Sequence, residues 1–252
     1  MINDGHVHLH YEGQYASKLP AEIMLADMKK VDELKAKYDV DKIAAILLPS
    51  HIDLIPEIIK NRQNLKLGLY FNNFRELQAY QGTIESFHFV KLHDDGLYYR
   101  TDALQEALNS GLEKGFKRFQ FHSQCIGKDQ LEVFAKFIKE NDVKIYLAHG
   151  VFSLYPGFEE KYYRQASAED VRRLAGNLFL GTTSTDANDY DLYERLEKGV
   201  KDGVMNQMCF ESDFGFNWRF YDSFYGALVT HARKATGNDS GVMHDNLESF
   251  LG

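Results

Sequence analysis

Cysteine, proline and tryptophan are scarce in this chain, at two, four and one of 252 residues. The two cysteines, Cys125 and Cys209, lie far apart, which does not make a disulfide framework and fits a reducing compartment. No stretch approaches the roughly 20 apolar residues that a membrane span requires. No basic segment leading into an apolar run opens the chain, so no export signal is expected. The expected setting is the cytoplasm, without a membrane partner. Excess positive charge is also missing. Asp and Glu number 37 against 29 Lys and Arg, a formal net charge of −8. Nucleic acid as the main partner is therefore not expected, because phosphate binding wants a basic face. Repeats, low-complexity tracts and linkers rich in Pro, Gly or Ser are absent, so residues 1–252 read as a single domain.

What is present is material for a large core, with 44% hydrophobic and 13% aromatic residues. Short β-rich runs alternate with helical stretches throughout. Strands are expected at 5–9, 42–49, 65–71, 87–93, 118–123, 143–149, 178–184 and 208–213. Most are nearly continuous apolar runs, as in parallel strands covered on both faces. Between them, apolar stripes recur at helical spacing: Met24, Met28, Val31, Leu34 and Tyr38; Leu104, Ala107, Leu108, Gly111 and Leu112; Leu131, Phe134, Ala135 and Ile138. Thr101 and Asp129 stand where N-caps are expected, and Ser167 with Asp170 forms a capping pair. Eight such units in about 250 residues predict an α/β fold, a (β/α)8 TIM barrel. A doubly wound open sheet is the alternative. It predicts a Gly-rich phosphate loop after the first strand, where the chain instead reads YEGQYASKLP.

In a barrel, alternate strand residues point inward and active groups gather at the C-terminal strand ends. The opening MINDGHVHLH gives His6, His8 and His10 one parity and sends Val7 and Leu9 toward the helices. Matching groups end other strands: Lys91 and His93 on strand 4, His122 on strand 5, His149 on strand 6 and Asp213 on strand 8. Imidazole and carboxylate suit zinc, manganese, iron or nickel. A lone strand-end histidine is ordinarily just hydrogen-bonded to its surroundings. The inference rests on five ligand-type groups ending four strands whose ends the fold brings together. His88 has the parity that faces the helices, His51 lies past strand 2, and His244 reads as structural.

These residues resemble the amidohydrolase superfamily of metal-dependent barrel hydrolases. Asp4-Gly5-His6-Val7-His8 is similar to its D-x-H-x-H opening. VKLH (90–93), His122, LAHG (147–150) and ESDF (211–214) continue the pattern, and HDNLESFLG (244–252) resembles the closing helix of the amidohydrolase-related branch. The resemblance implies that His6 and His8 bind a divalent metal, with Asp213 as a further ligand. His122 and His149 would bind the same ion, bind a second one, or face the substrate. Zinc is the first expectation, with one ion favoured over two. Lys91 would be either a carboxylated lysine bridging two ions or an unmodified cation that holds a substrate carboxylate. Asp213 would take a proton from the attacking water, and the ion or His149 would polarise the carbonyl. One departure is Glu211, where the family often has a small residue. It shares the parity of Asp213 and needs a partner, Lys91 or a histidine, because an unpaired buried charge is costly.

The implied reaction is hydrolysis of an amide, lactone or ester bond in a small, acidic substrate. Decarboxylation by the same ligands is an alternative. The loops carry the substrate candidates, namely His10, His93, Arg100, Arg164, Arg219 and Trp218, with guanidinium groups suited to carboxylates. A PHP-type or TatD-type phosphoesterase also opens with His-x-His. The TatD pattern, however, wants a glutamate where Lys91 stands, and the PHP pattern wants more ligands. A barrel that binds metal or a small acid without catalysis is the non-enzymatic alternative. A small-molecule substrate is the expected partner, and a homo-oligomer is compatible with the sequence.

Overall fold

The computed structural model describes residues 1–9, 21–60, 62, 64–93, 100–122, 126–155, 164–183, 189–213 and 221–252, with main chain only at 21–27, 30, 189–191 and 221–224. Strand and helix alternate as the sequence predicts. The chain runs β1 (Ile2–His8), α1 (Ala21–Tyr38), β2 (Val40–Leu47), a 3-10 segment Pro49–Leu54 continuing into α2 (Ile55–Ile59), β3 (Leu65–Phe71) and α3 (Phe74–Ala79). It goes on through β4 (Phe89–Leu92), α4 (Thr101–Glu113), β5 (Arg118–His122), α5 (Lys128–Asn141), β6 (Lys144–Ala148), α6 (Gly150–Leu154) and α7 (Ala168–Arg172). It ends with β7 (Leu178–Gly181), α8 (Asp189–Lys201), β8 (Met208–Cys209), α9 (Tyr221–Thr236) and α10 (Asn246–Leu251). All eight strands are parallel and lie in chain order, β1 to β8. This is a nearly closed (β/α)8 barrel. Among the described residues no helix is long and apolar enough to cross a membrane.

Two apolar shells hold it. Outward residues such as Val7, Leu47, Leu69, Val90, Phe121, Leu147 and Leu180 pack under the helices. Inward residues Ala44, Ile46, Tyr70, Phe89, Tyr146, Ala148, Phe179 and Cys209 fill the interior. Leu247, Phe250 and Leu251 of α10 join that inner shell and plug the floor. Each large apolar side chain so buried contributes roughly 1.5–3 kcal/mol. Arg118 Nε donates to Phe250 O (2.7 Å) and the Lys144 ammonium donates to Ser249 O, so two cations cap the C-terminus of α10.

The helix stripes are buried as expected, among them Met28, Val31, Leu34, Leu104, Ala107, Leu108, Leu131 and Phe134. Ser167 and Asp170 form a reciprocal capping box at α7. Thr101 and Asp129 are not N-caps. Arg100 and Gly127 hold those positions, and Thr101 and Asp129 fall in the first turns of α4 and α5. Asp129 still places negative charge at the positive end of α5, where the helix dipole favours it.

β1 departs from simple alternation. Its register on β2 runs Asp4 to Ile43 and then Val7 to Ala45, three residues against two. This bulge turns both Gly5 and His6 inward and leaves Asp4 on the outer side. There Asp4 Oδ2 accepts from Ser212 Oγ (2.6 Å) and Tyr225 OH (3.1 Å), and Oδ1 accepts from Ser212 N (3.0 Å) and His6 N (3.3 Å). Together with the bond from Gly5 N to Phe210 O (2.9 Å), these contacts fasten β1 to the end of β8. Burial pushes the Asp4 carboxyl up to about 7, against the hydrogen bonds it accepts.

Candidate active site

The bulge and the seam bring the first and last strands together at the barrel mouth. His6 Nε2 and His8 Nε2 lie 2.6 Å apart. Asp213 Oδ1 lies 3.2 Å from the first and 3.1 Å from the second. All three side chains are buried. Ligand atoms around a tetrahedral zinc at 2.0–2.1 Å stand roughly 3.3 Å from one another. The histidine–aspartate distances match that spacing, and the two nitrogens, 2.6 Å apart, would part by about 0.7 Å to admit an ion. The donor set, two imidazoles and a carboxylate, is the chemistry a divalent transition ion takes.

His149 follows β6 with φ of 60°, and Asp213 follows β8 with φ of 55°. Both are in the left-handed region, which is sparsely used outside glycine, asparagine and aspartate and costs of order 1–3 kcal/mol. The His149 turn aims its N–H inward, to Glu211 Oε1 (2.7 Å). Its Nδ1 lies 2.8 Å from Thr183 O and 3.2 Å from Glu211 Oε1. That arrangement leaves Nε2 facing Asp213 Oδ2 at 4.0 Å. The Lys91 ammonium is fully buried and lies 2.9 Å from His6 Nε2.

The histidines form a row of rings across the mouth. Centroid distances are 4.6 Å for His8–His6, 5.3 Å for His6–His149, 4.9 Å for His149–His122 and 4.3 Å for His122–His93. Their protonation is split by environment. Burial, then the Lys91 charge, holds His6 well below its usual range, and burial lowers His8 to about 4. Burial and the charge on His149 likewise depress His122. His149 goes the other way. Burial opposes its charge, but Glu211 and Asp213 overcome that and raise it to about 9. Burial would raise Asp213, but the His149 charge and the bonds from His6 and His8 hold it well below the carboxylate range. The two directions favour an ionised Asp213 beside a charged His149.

Glu211 has a histidine partner, His149, one of the two kinds of partner the sequence allows. It also accepts from Tyr146 OH (3.0 Å) and Thr183 N (3.3 Å). Tyr146 and Thr183 were not singled out from the sequence, although alternation along β6 puts Tyr146 on the face of Ala148. Arg100 and Arg164 are largely exposed and pair with Asp102 (2.7 Å) and Asp129 (3.5 Å). His93 is half-buried beside His122. His10, Trp218, Arg219 and Cys125 lie outside the described residues.

No protein-family model matches the sequence, and no curated protein is similar to it. Solved structures do share its fold. A probable 2-pyrone-4,6-dicarboxylic acid hydrolase from Acinetobacter baumannii, with citric acid bound, superposes with a TM-score of 0.59 at 13% identity, over 100% of this chain and 99% of that one. A mutant organophosphorus hydrolase gives 0.65 at 10% identity, over 100% and 92%. A putative 2-pyrone-4,6-dicarboxylic acid hydrolase from Pseudomonas putida gives 0.55 at 13%, over 100% and 97%. At these identities the likeness concerns the fold alone: this chain has the (β/α)8 barrel fold of those hydrolases.

Proposed function

We propose that the protein is a metal-dependent hydrolase of an amide, lactone or ester bond in a small acidic substrate. The observation that carries this reading is the meeting of His6 Nε2, His8 Nε2 and Asp213 Oδ1 within 2.6–3.2 Å at the barrel mouth. These three residues would hold one divalent ion, zinc in the first instance, and a bound ion of that kind acidifies water and polarises a carbonyl. The chain's own groups then divide the proton work. Asp213, ionised and with Oδ2 turned toward His149, accepts the proton of the attacking water. His149, protonated and anchored at Nδ1, donates from Nε2 to the oxygen that gains charge, and Asp213 returns its proton to the leaving group. The place of His149 supports a donor role over a ligand role, since Nδ1 is held by Thr183 O and Nε2 stands 4.0 Å from Asp213 Oδ2, outside the cluster of His6, His8 and Asp213.

Lys91, His93 and His122 are the groups for a substrate carboxylate in this reading, with Lys91 unmodified. Two of the structures that share the fold are a probable and a putative pyrone dicarboxylic acid hydrolase, one holding citric acid, which supports an acidic substrate. The test is metal analysis of protein purified without added metal, together with turnover of a panel of lactones, amides, esters and phosphoesters. One ion per chain, and carboxylate-bearing lactone or amide turnover lost in Asp213→Asn, is the expected result. Two ions would restore the carboxylated Lys91. Turnover by ion-free protein would overturn the metal-dependent reading.

A further inference from the structure

Glu211 is a fully buried carboxylate that the proposed reaction does not use. Three donors anchor it: His149 N–H (2.7 Å), Tyr146 OH (3.0 Å) and Thr183 N–H (3.3 Å). Room has been left for it. A Cβ at Gly181 would fall 2.0–2.3 Å from its carboxylate atoms, and a Cβ at Gly5 would fall 2.4 Å from the Tyr146 oxygen that holds it. The carboxylate then meets two imidazoles on the same edge, His149 Nδ1 at 3.2 Å and His6 Nδ1 at 3.7 Å. The opposite edge of each ring faces Asp213, His6 Nε2 at 3.2 Å and His149 Nε2 at 4.0 Å. One carboxylate thus sits behind two functional rings, and the other sits in front of them. A buried charge kept only for packing is a poor choice, because an apolar residue would fill the space without the desolvation cost. Carboxylates behind ligating imidazoles fix ring orientation and raise basicity.

We propose that Glu211 is the positioning residue of the site. It turns the Nε2 edges of His6 and His149 toward Asp213 so that ion binding and proton donation share one point. The proposal rests on the reading that His6, His8 and Asp213 hold an ion. Two measurements separate the failure of one from the failure of the other. The first is a competition titration of zinc against a chelator, with the visible spectrum of the cobalt-loaded protein as a second readout. Glu211→Gln is expected to lose about 10–100-fold in ion affinity and to alter the cobalt spectrum. The second compares crystal structures of metal-free wild type and Glu211→Gln, in which the His6 and His149 rings are expected to rotate. Should Glu211→Gln not fold, Tyr146→Phe and Gly181→Ala disturb the same carboxylate from either side, and a weaker ion affinity is expected from both. Unmoved rings, with affinity within about twofold of wild type, would overturn the proposal. If the wild type binds no ion, the metal reading falls, and the ring comparison still decides the role of Glu211.

Discussion

Among the described residues the barrel carries one histidine–carboxylate cluster at each end, and the two behave differently. At the mouth stand His6, His8 and Asp213. Beneath the floor stand Asp41, His244 and Glu248, and in both groups the ligand atoms lie within 4.8 Å of one another. At the floor the carboxylates are already engaged. Asp41 accepts from Asn64 (2.7 Å), Glu248 accepts from Asn3 (2.8 Å) and pairs with Lys42, and His244 Nδ1 is bonded to Asp245 (2.8 Å). Those residues are only half-buried, so water shares the charge. At the mouth the three groups are buried and turn their ligand atoms toward one another. Residue types alone do not distinguish an ion-binding cluster from a polar clasp. Burial and the turning of the ligand atoms toward one another do.

The comparison breaks most sharply at Asp213. Asp213→Asn is expected to lower kcat/KM by about 10²–10⁴-fold, the usual worth of a positioned proton acceptor. His244→Ala is expected to leave it unchanged. Equal losses in steady-state assays of both variants would erase the distinction. Next in size is ion removal. Chelation should lower the melting temperature by roughly 5–10 °C if the ion was bound at about a hundred times its Kd, worth about 2.7 kcal/mol. Asp41→Asn should show the same loss by calorimetry, since the floor holds no ion in this reading.

A pH series on metal-free protein sharpens the contrast further. His6, His8 and His122 are held neutral on folding, so the unfolded chain takes up more protons below about pH 6.5 and acid destabilises the fold. Asp4, raised to about 7, opposes this with one proton against three. His149 is raised to about 9, so its contribution is full below 6.5 and is lost as pH climbs through 9. Denaturation midpoints should therefore peak near neutrality. A flat profile from pH 5 to 9 would contradict the site's electrostatics. The smallest effect belongs to the floor. Glu248→Gln weakens a half-buried pair and should cost about 1 kcal/mol in urea unfolding, with KM and ion content unmoved.

The barrel was legible because buried parallel strands and amphipathic helices have different apolar periods, and both were strong here. His6, His8, His149 and Asp213 were legible because strand ends converge in such a fold. The outer position of Asp4 was not. A bulge moves one residue across the sheet without altering composition, and Gly5 was its only trace. The end of β8 was likewise shorter than its sequence pattern. Beyond Cys209 the main-chain N–H groups bond to side chains and a helical turn instead of a strand: Glu211 N to Thr182 Oγ1, Ser212 N to Asp4, and Phe210 N to Val242 O. The Thr101 and Asp129 caps failed for a related reason. Side-chain capping preference points one or two residues past the true caps, Arg100 and Gly127, and Gln130 closes its box on the main chain of Gly127.

The β1–β8 seam also sets a timetable. During synthesis the paired histidines are made well before the aspartate they await. Until the last strand docks, a captured cation would have only two of its three protein ligands, so secure loading awaits that docking.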